Sequence, residues 1–288
     1  METFFSFLER RVDDCSSLLC VGLDPHISDL PTPTAASARD FCLNLVKQTA
    51  PYAAAFKPNA AFFEQFGSRG WTALKQVIHA IQEQSQRFGS MIPVILDAKR
   101  GDISSTAEAY AKSAFETLGA HCITLSPYLG KDSIEPFIQN HEKGVFLLCK
   151  TSNAGSGDLQ DLIVTMDNGP QTIVNGQSSA VHLYEHVAKL AQSWNTRNNI
   201  GLVVGATHLD ALTRVRAAAP ELWFLAPGVG TQGGELESAL KVGLRKDGKG
   251  MLIPISRGIS RAVEGPGHAA AEIRDQILNI KREMFVHG

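Results

Sequence analysis

The feature that most constrains the fold is a recurring unit. A short, almost continuously apolar run ends in polar residues or glycine and is followed by room for a helix. Eight such runs occur, at Leu18–Asp24, Ala53–Asn59, Pro93–Lys99, Cys122–Pro127, Val145–Thr151, Ile200–Gly205, Leu222–Gly228 and Met251–Gly258. Runs that are apolar throughout, rather than alternating, are expected of parallel strands buried on both faces. Helix-compatible stretches lie between them at Ala36–Thr49, Phe62–Arg87, Ser104–Leu118, Ser178–Trp194, Leu209–Ala218, Gly234–Val242 and Ala269–Phe285. Eight strands, each with space for a helix, give the arithmetic of an α/β fold of the (β/α)8 TIM-barrel type, with a doubly wound open sheet as the alternative. No low-complexity linker divides the chain, so residues 1–288 are expected to form a single barrel domain. The charged, amphipathic start, residues 1–17, reads as a short N-terminal helical cap over one barrel end rather than as a signal peptide or membrane span. The glycine-rich stretches Thr151–Gly176 and Lys246–Gly250 are candidate mobile loops.

The charge balance narrows the partners. A formal net charge of −2 offers no global field for nucleic acid or an anionic membrane, so any bound anion must be held by local donors. The five cysteines, Cys15, Cys20, Cys42, Cys122 and Cys149, show no paired spacing and sit mostly in or beside apolar runs. They read as reduced, buried thiols in a cytoplasmic protein.

Barrel enzymes build their sites at the carboxyl ends of the strands. Here those ends carry Asp24, Lys57, Asp97, Lys99, Ser126, Lys150, Thr151, the Pro227–Gly230 turn and Arg257. Asp97 and Lys99 are two residues apart, which sends both side chains off one face of a strand. Lys57 closes the preceding strand, and Asp102 follows Gly101 where the chain turns toward the next helix. Two opposite charges about 4 Å apart interact by about 4 kcal/mol at an effective dielectric near 20, enough for each to keep the other ionised in a dry pocket. An ammonium held charged is a poor Schiff-base nucleophile, but it stabilises a developing carbanion and then protonates it. A structural salt bridge would need fewer than two lysines and two aspartates.

Two motifs point elsewhere on first inspection. Gly228-Val-Gly230-Thr-Gln-Gly233 matches a dinucleotide fingerprint, but no acidic strand end follows it; the next strand end carries Arg257. A glycine turn and an arginine after the last two strands suit a phosphate monoester. His182-Leu-Tyr-Glu185-His186 has a zinc-like spacing but falls within an expected outer helix with no third ligand, so no metal is assigned.

The segments LLCVGLDPH, AAFKPNAAFFEQFG, VILDAKRGDISST, ITLSPYLG, CKTSNAGSGDLQ, APGVGTQGG and PISRGI together resemble the orotidine 5'-phosphate decarboxylase family, in particular its longer bacterial (type 2) subfamily. The resemblance runs from about Leu18 to Ile259. It implies decarboxylation of orotidine 5'-monophosphate to UMP and CO2, the last step of de novo UMP synthesis, with no metal or organic cofactor. It further implies that Lys99 protonates C6 of the pyrimidine, that Asp97 lies against the departing carboxylate, and that Lys57 holds Asp97 and the ribose. Asp102 would serve the other subunit of a homodimer, and Thr106 would join the ribose contacts of Asp24 from the partner. Ser126 would face the base, and Arg257 with Gly228 and Gly230 would hold the phosphate. Many relatives have glycine just before that arginine, whereas this chain has Ser256. The resemblance assigns no contacts to the 151–161 loop. A metal-dependent hexulose-phosphate synthase-like aldolase would need an acidic residue where this chain has Lys57, and a non-catalytic phosphate binder would not need the paired array.

Overall fold

The computed structural model describes residues 2–165, 180–229 and 236–286. Helix α1 (Phe4–Cys15) precedes β1 (Leu19–Leu23), α2 (Ala35–Thr49) and β2 (Ala55–Pro58), after which come α3 (Ala61–Glu64), α4 (Gly67–Phe88) and β3 (Ile95–Arg100). Next are α5 (Ser104–Lys112), β4 (Cys122–Leu125), α6 (Glu135–Ile138), β5 (Gly144–Lys150) and α7 (Gly157–Gln160). A small pair, β6 (Ile163–Thr165) and β7 (Ala180–His182), leads into α8 (Leu183–Trp194), β8 (Ile200–Val204) and α9 (Leu209–Ala218). The chain finishes with β9 (Phe224–Leu225), α10 (Leu236–Gly243), β10 (Met251–Ile255), α11 (Arg257–Ser260) and α12 (Pro266–Val286).

Eight of these strands pair in parallel in the order β2-β1-β10-β9-β8-β5-β4-β3. The two ends of that order meet. The Phe56 N–H donates to the Pro93 carbonyl at 2.9 Å and the Ala60 N–H to the Asp97 carbonyl at 3.1 Å, so β2 joins β3 and the sheet closes. Closure excludes the doubly wound alternative and establishes the (β/α)8 TIM barrel. All residues of β1, β2 and β4 are buried, as runs apolar throughout require when side chains fill the barrel on one face and meet helices on the other.

The N-terminal helix plugs the amino-terminal end. Thr3 caps it by accepting the Ser6 N–H. Phe4 and Phe5 are buried, with Phe5 edge-on to Phe146 at 5.5 Å and stacked on Trp223 at 6.3 Å. A side chain at Gly144 would overlap the Phe4 ring, so that strand begins on glycine. Arg11 locks the plug by donating to the carbonyls of Ala50 and Ala53.

Three expectations change. The helix expected over Phe62–Arg87 is two helices, because Gly67 turns through a left-handed φ of +61°. The helix expected from Ser178 begins at Leu183: residues 178 and 179 lie outside the described residues, and Ala180–His182 pairs antiparallel with Ile163–Thr165. Within the zinc-like motif, Glu185 accepts the His182 N–H at 3.1 Å and pairs with Arg214, so it caps a helix rather than ligating. The Lys246–Gly250 stretch, a candidate mobile loop, is a tight turn at the amino-terminal end, with Arg245 paired to both Asp247 and Glu9.

Candidate active site

The carboxyl ends of β2, β3 and β4 bring the charged cluster together. Asp97 receives Lys57 Nζ on Oδ2 at 2.8 Å and Lys99 Nζ on Oδ1 at 2.6 Å. Thr124, on the neighbouring strand, donates its hydroxyl to the same Oδ1 at 3.1 Å. Its oxygen in turn accepts the backbone N–H groups of Ala98 and Lys99. Those bonds hold Lys99 at a left-handed φ of +48°, a conformation costly for a non-glycine residue and so one the surroundings must enforce. Lys57 and Asp97 are each 8% exposed, whereas the Lys99 side chain is half exposed. Burial opposes both charges of the inner pair. It is outweighed: the lysines hold the Asp97 carboxyl well below the usual carboxylate range, and the charges of Asp97 and Asp24 hold Lys57 above the usual lysine range.

This array stands at a neck between two lobes of one depression. The first, of about 340 Å³, is lined by Asp24, His26, Asn59, Phe62, Gly228, Ser256 and Arg257 beside Lys57 and Asp97. The second, of about 440 Å³, shares Lys57, Asp97, Pro227 and Pro254 with the first and adds Lys99, Thr124, Ser152, Asn153 and Gln160 over an apolar floor of Leu148, Val203 and Leu225. A polar, cation-bearing lobe beside an apolar one with hydroxyl and amide edges is the form expected for a phosphorylated sugar joined to a flat ring.

Within the first lobe Arg257 is exposed at the start of α11 and has no carboxylate partner among the described residues. Gly228 adopts a φ of +108°, so the turn facing Arg257 needs a residue without Cβ. Gly230 lies outside the described residues. Asp24 accepts the Ser256 hydroxyl on Oδ2 at 2.5 Å, while its buried Oδ1 has no partner among the described residues. His26 has a contact that the sequence did not suggest, an edge-on packing against Phe62 at 4.4 Å.

Three expected site residues stand apart from this depression. Asp102 lies outside it, just before the next helix, and accepts the adjacent Ile103 N–H on Oδ1 at 2.8 Å. Thr106 is exposed on the first turn of α5. Ser126 lines neither lobe. The pairing of β3 with β4 shifts register between Leu96 and Arg100, and the Ser126 N–H bonds the Arg100 carbonyl, which packs this serine beneath Gly101. Ser152, just after β5, does line the apolar lobe, together with the hydroxyl-bearing Thr124 and Thr151. The 151–161 segment that carries Ser152 is anchored from below: Lys150, 3% exposed, donates to Ser156 at 3.1 Å and Asp161 at 2.7 Å. Gln160 folds back to accept the Thr151 N–H at 2.9 Å. Among the described residues there is no group of three or more histidine, cysteine, aspartate or glutamate side chains arranged to hold a metal ion.

Comparison with known proteins places these features in a lineage. A family model described as orotidine 5'-phosphate decarboxylase / HUMPS family matches residues 17–273. The orotidine 5'-phosphate decarboxylase of Roseiflexus castenholzii is 44% identical over 284 residues, covering 95% of this chain and 97% of its own. Among solved structures, the OMP decarboxylase of Leishmania donovani is 51% identical with a TM-score of 0.82, covering 97% of this chain and 98% of that one. The UMP synthase of the same organism is 52% identical with a TM-score of 0.85, and this chain spans 98% of itself but only 57% of that longer protein.

Proposed function

The chain belongs to the orotidine 5'-phosphate decarboxylase / HUMPS family, and from that premise we propose that it converts orotidine 5'-monophosphate to UMP and CO2, the last step of de novo UMP synthesis, by protonation of a C6 carbanion from Lys99. The observation that carries the reading is the Lys57–Asp97–Lys99 array at the neck between a phosphate-suited lobe and a ring-suited one.

Loss of CO2 leaves an electron pair in an sp2 orbital that the ring cannot delocalise, so fixed charges must supply the stabilisation. The Lys99 ammonium is the nearest half-exposed cation in the ring lobe, and it delivers the proton once the pair forms. Asp97 stands against the substrate carboxylate and Lys57 holds it in place. Crowding of two carboxylates adds ground-state destabilisation, offset by binding energy from the remote phosphate on Arg257, Gly228 and Gly230. Asp24 takes the ribose hydroxyls. The base-facing hydroxyl is that of Ser152 rather than Ser126, a choice supported by its place in the lobe. No metal or organic cofactor enters any step.

Asp102 and Thr106 act across a homodimer interface, each completing the partner's site. Their position outside the chain's own depression and the exposed Ile103 next to Asp102 support this reading. The chain forms one barrel domain of the longer bacterial subfamily. That assignment is supported by the sequence resemblance, which runs from about Leu18 to Ile259. A cytoplasmic setting is supported by five buried free cysteines. No helix of the described residues is long and apolar enough to cross a membrane.

The test is to add orotidine 5'-monophosphate and follow its ultraviolet spectrum with and without a chelator. Turnover insensitive to chelation is expected; absence of turnover overturns the reading. For the shared site, mixing inactive Lys99→Ala and Asp102→Ala proteins should restore about a quarter of wild-type activity, since half the dimers are mixed and each carries one intact site. No recovery after subunit exchange places Asp102 elsewhere.

A further inference from the structure

Ser256 forms part of a small constructed unit. Its hydroxyl donates its single proton to Asp24 Oδ2 at 2.5 Å. Gly22, two residues before Asp24 on β1, leaves the space for that hydroxyl: a Cβ there would lie 1.9 Å from Ser256 Oγ. With Oδ2 satisfied, the second carboxylate oxygen, Oδ1, is buried without a partner among the described residues. A buried anionic acceptor left empty is costly, and a ligand hydroxyl that fills it recovers that cost. Asp24 lines the lobe that also holds Arg257, the residue immediately after Ser256. One turn at the end of β10 therefore carries both the phosphate cation and the group that orients the carboxylate across from it.

We propose that Ser256 is a positioning residue for ribose recognition: by holding Oδ2 of Asp24, it presents Oδ1 to a vicinal diol and so makes the enzyme select ribonucleotides over their deoxy analogues. The inference rests on the assignment of the first lobe to ribose and phosphate. The serine touches no reacting atom. It acts through Asp24, whose orientation would otherwise vary between two rotamers about its carboxyl torsion, a broad and weakly restricted angle.

The test compares calorimetric dissociation constants for UMP and 2',3'-dideoxy-UMP on wild type, Ser256→Ala and Ser256→Gly, with inorganic phosphate as a third ligand. Wild type should favour UMP. Both variants should lose about tenfold of that preference, the worth of a hydrogen bond to a charged group, with phosphate affinity unchanged. A preference retained in both variants overturns the inference. So does a fall in phosphate affinity that matches the fall for UMP, which would assign the serine to the Arg257 turn alone. A wild type that binds both nucleotides equally overturns the ribose assignment itself. Wild-type turnover of orotidine 5'-monophosphate is measured in parallel, so failure of the decarboxylase reading is seen separately.

Discussion

The neck and the far end of the first lobe treat charge in opposite ways. At the neck, Asp97 is paired with both Lys57 and Lys99, and the inner pair is almost wholly buried. At the far end of the first lobe, Arg257 stands exposed with no carboxylate partner among the described residues. Charges that answer one another before substrate arrives cost no reorganisation when the transition state forms, which is what electrostatic catalysis requires. An unanswered cation is suited to a different task. It waits for the ligand's own charge, and the bond that results is equally strong before and after the chemistry. The neck should therefore control kcat and the fold's stability, and the Arg257 end should control KM.

The largest expected effect follows at once. Lys99→Ala removes both the nearest cation and the proton source, so turnover should fall by at least about 10⁴-fold while the fold survives, because the lysine side chain is half exposed. Single-turnover absorbance measurements check it, and substantial residual activity would end the proton-donor assignment. Asp97→Ala comes next and acts on stability as well. It strands the buried Lys57 ammonium and should cost about 3–5 kcal/mol in urea unfolding, as removal of one partner from a buried pair does. A loss under about 1 kcal/mol would mean that water already reaches Lys57 and that the two regions differ less in charge pairing than their geometry implies.

The barrel was legible in the sequence because its signal is repeated eight times, and the neck because a charged residue closing an apolar run is costly unless a partner or a ligand answers it. Neutral polar residues carry no such mark. Ser126 and Ser152 both follow apolar strands, and only the register shift between Leu96 and Arg100 decides that the first packs under Gly101 while the second enters the lobe. Thr124 is hidden for a related reason: a lone threonine inside a strand is usually a β-former, and its bonds to Asp97 and the Lys99 backbone exist only across strands. The β6–β7 pair is hidden because its strands are three residues long and bury no residue fully, leaving no apolar alternation to read. Glu185 in the histidine motif shows the converse, a metal-like spacing produced by a helix cap.

Arg257→Ala gives the next effect in size. KM for orotidine 5'-monophosphate should rise by about 10²-fold, with a much smaller change in kcat at saturation. The unphosphorylated nucleoside provides the control. Wild type and variant should process it equally poorly, since the arginine then has nothing to answer. If the variant is also slower on the nucleoside, Arg257 acts on the neck rather than on the phosphate, and the division between the two regions fails.

The smallest effect is a slope. Asp97 has its carboxyl held below the ordinary range in the folded protein, so between that value and about pH 4 the unfolded chain binds more protons than the folded one. Stability from this group is complete above about pH 4 and is lost as pH falls through the folded value. Lys57 has the opposite sign: its contribution is complete below about pH 10 and is lost only as pH rises through a folded value above the ordinary lysine range. Acid unfolding thus reads the carboxylate alone. From about pH 4 downward, wild type should lose up to about 1.4 kcal/mol per pH unit more than Asp97→Asn, measured as urea midpoints at fixed ionic strength. Arg257→Ala should keep the wild-type slope, because the bonds that hold the Asp97 carboxylate come from Lys57, Lys99 and Thr124 and not from Arg257. A wild-type slope in Asp97→Asn would show that the neck's charges are not pre-paired, and the catalytic argument built on their mutual support would go with it.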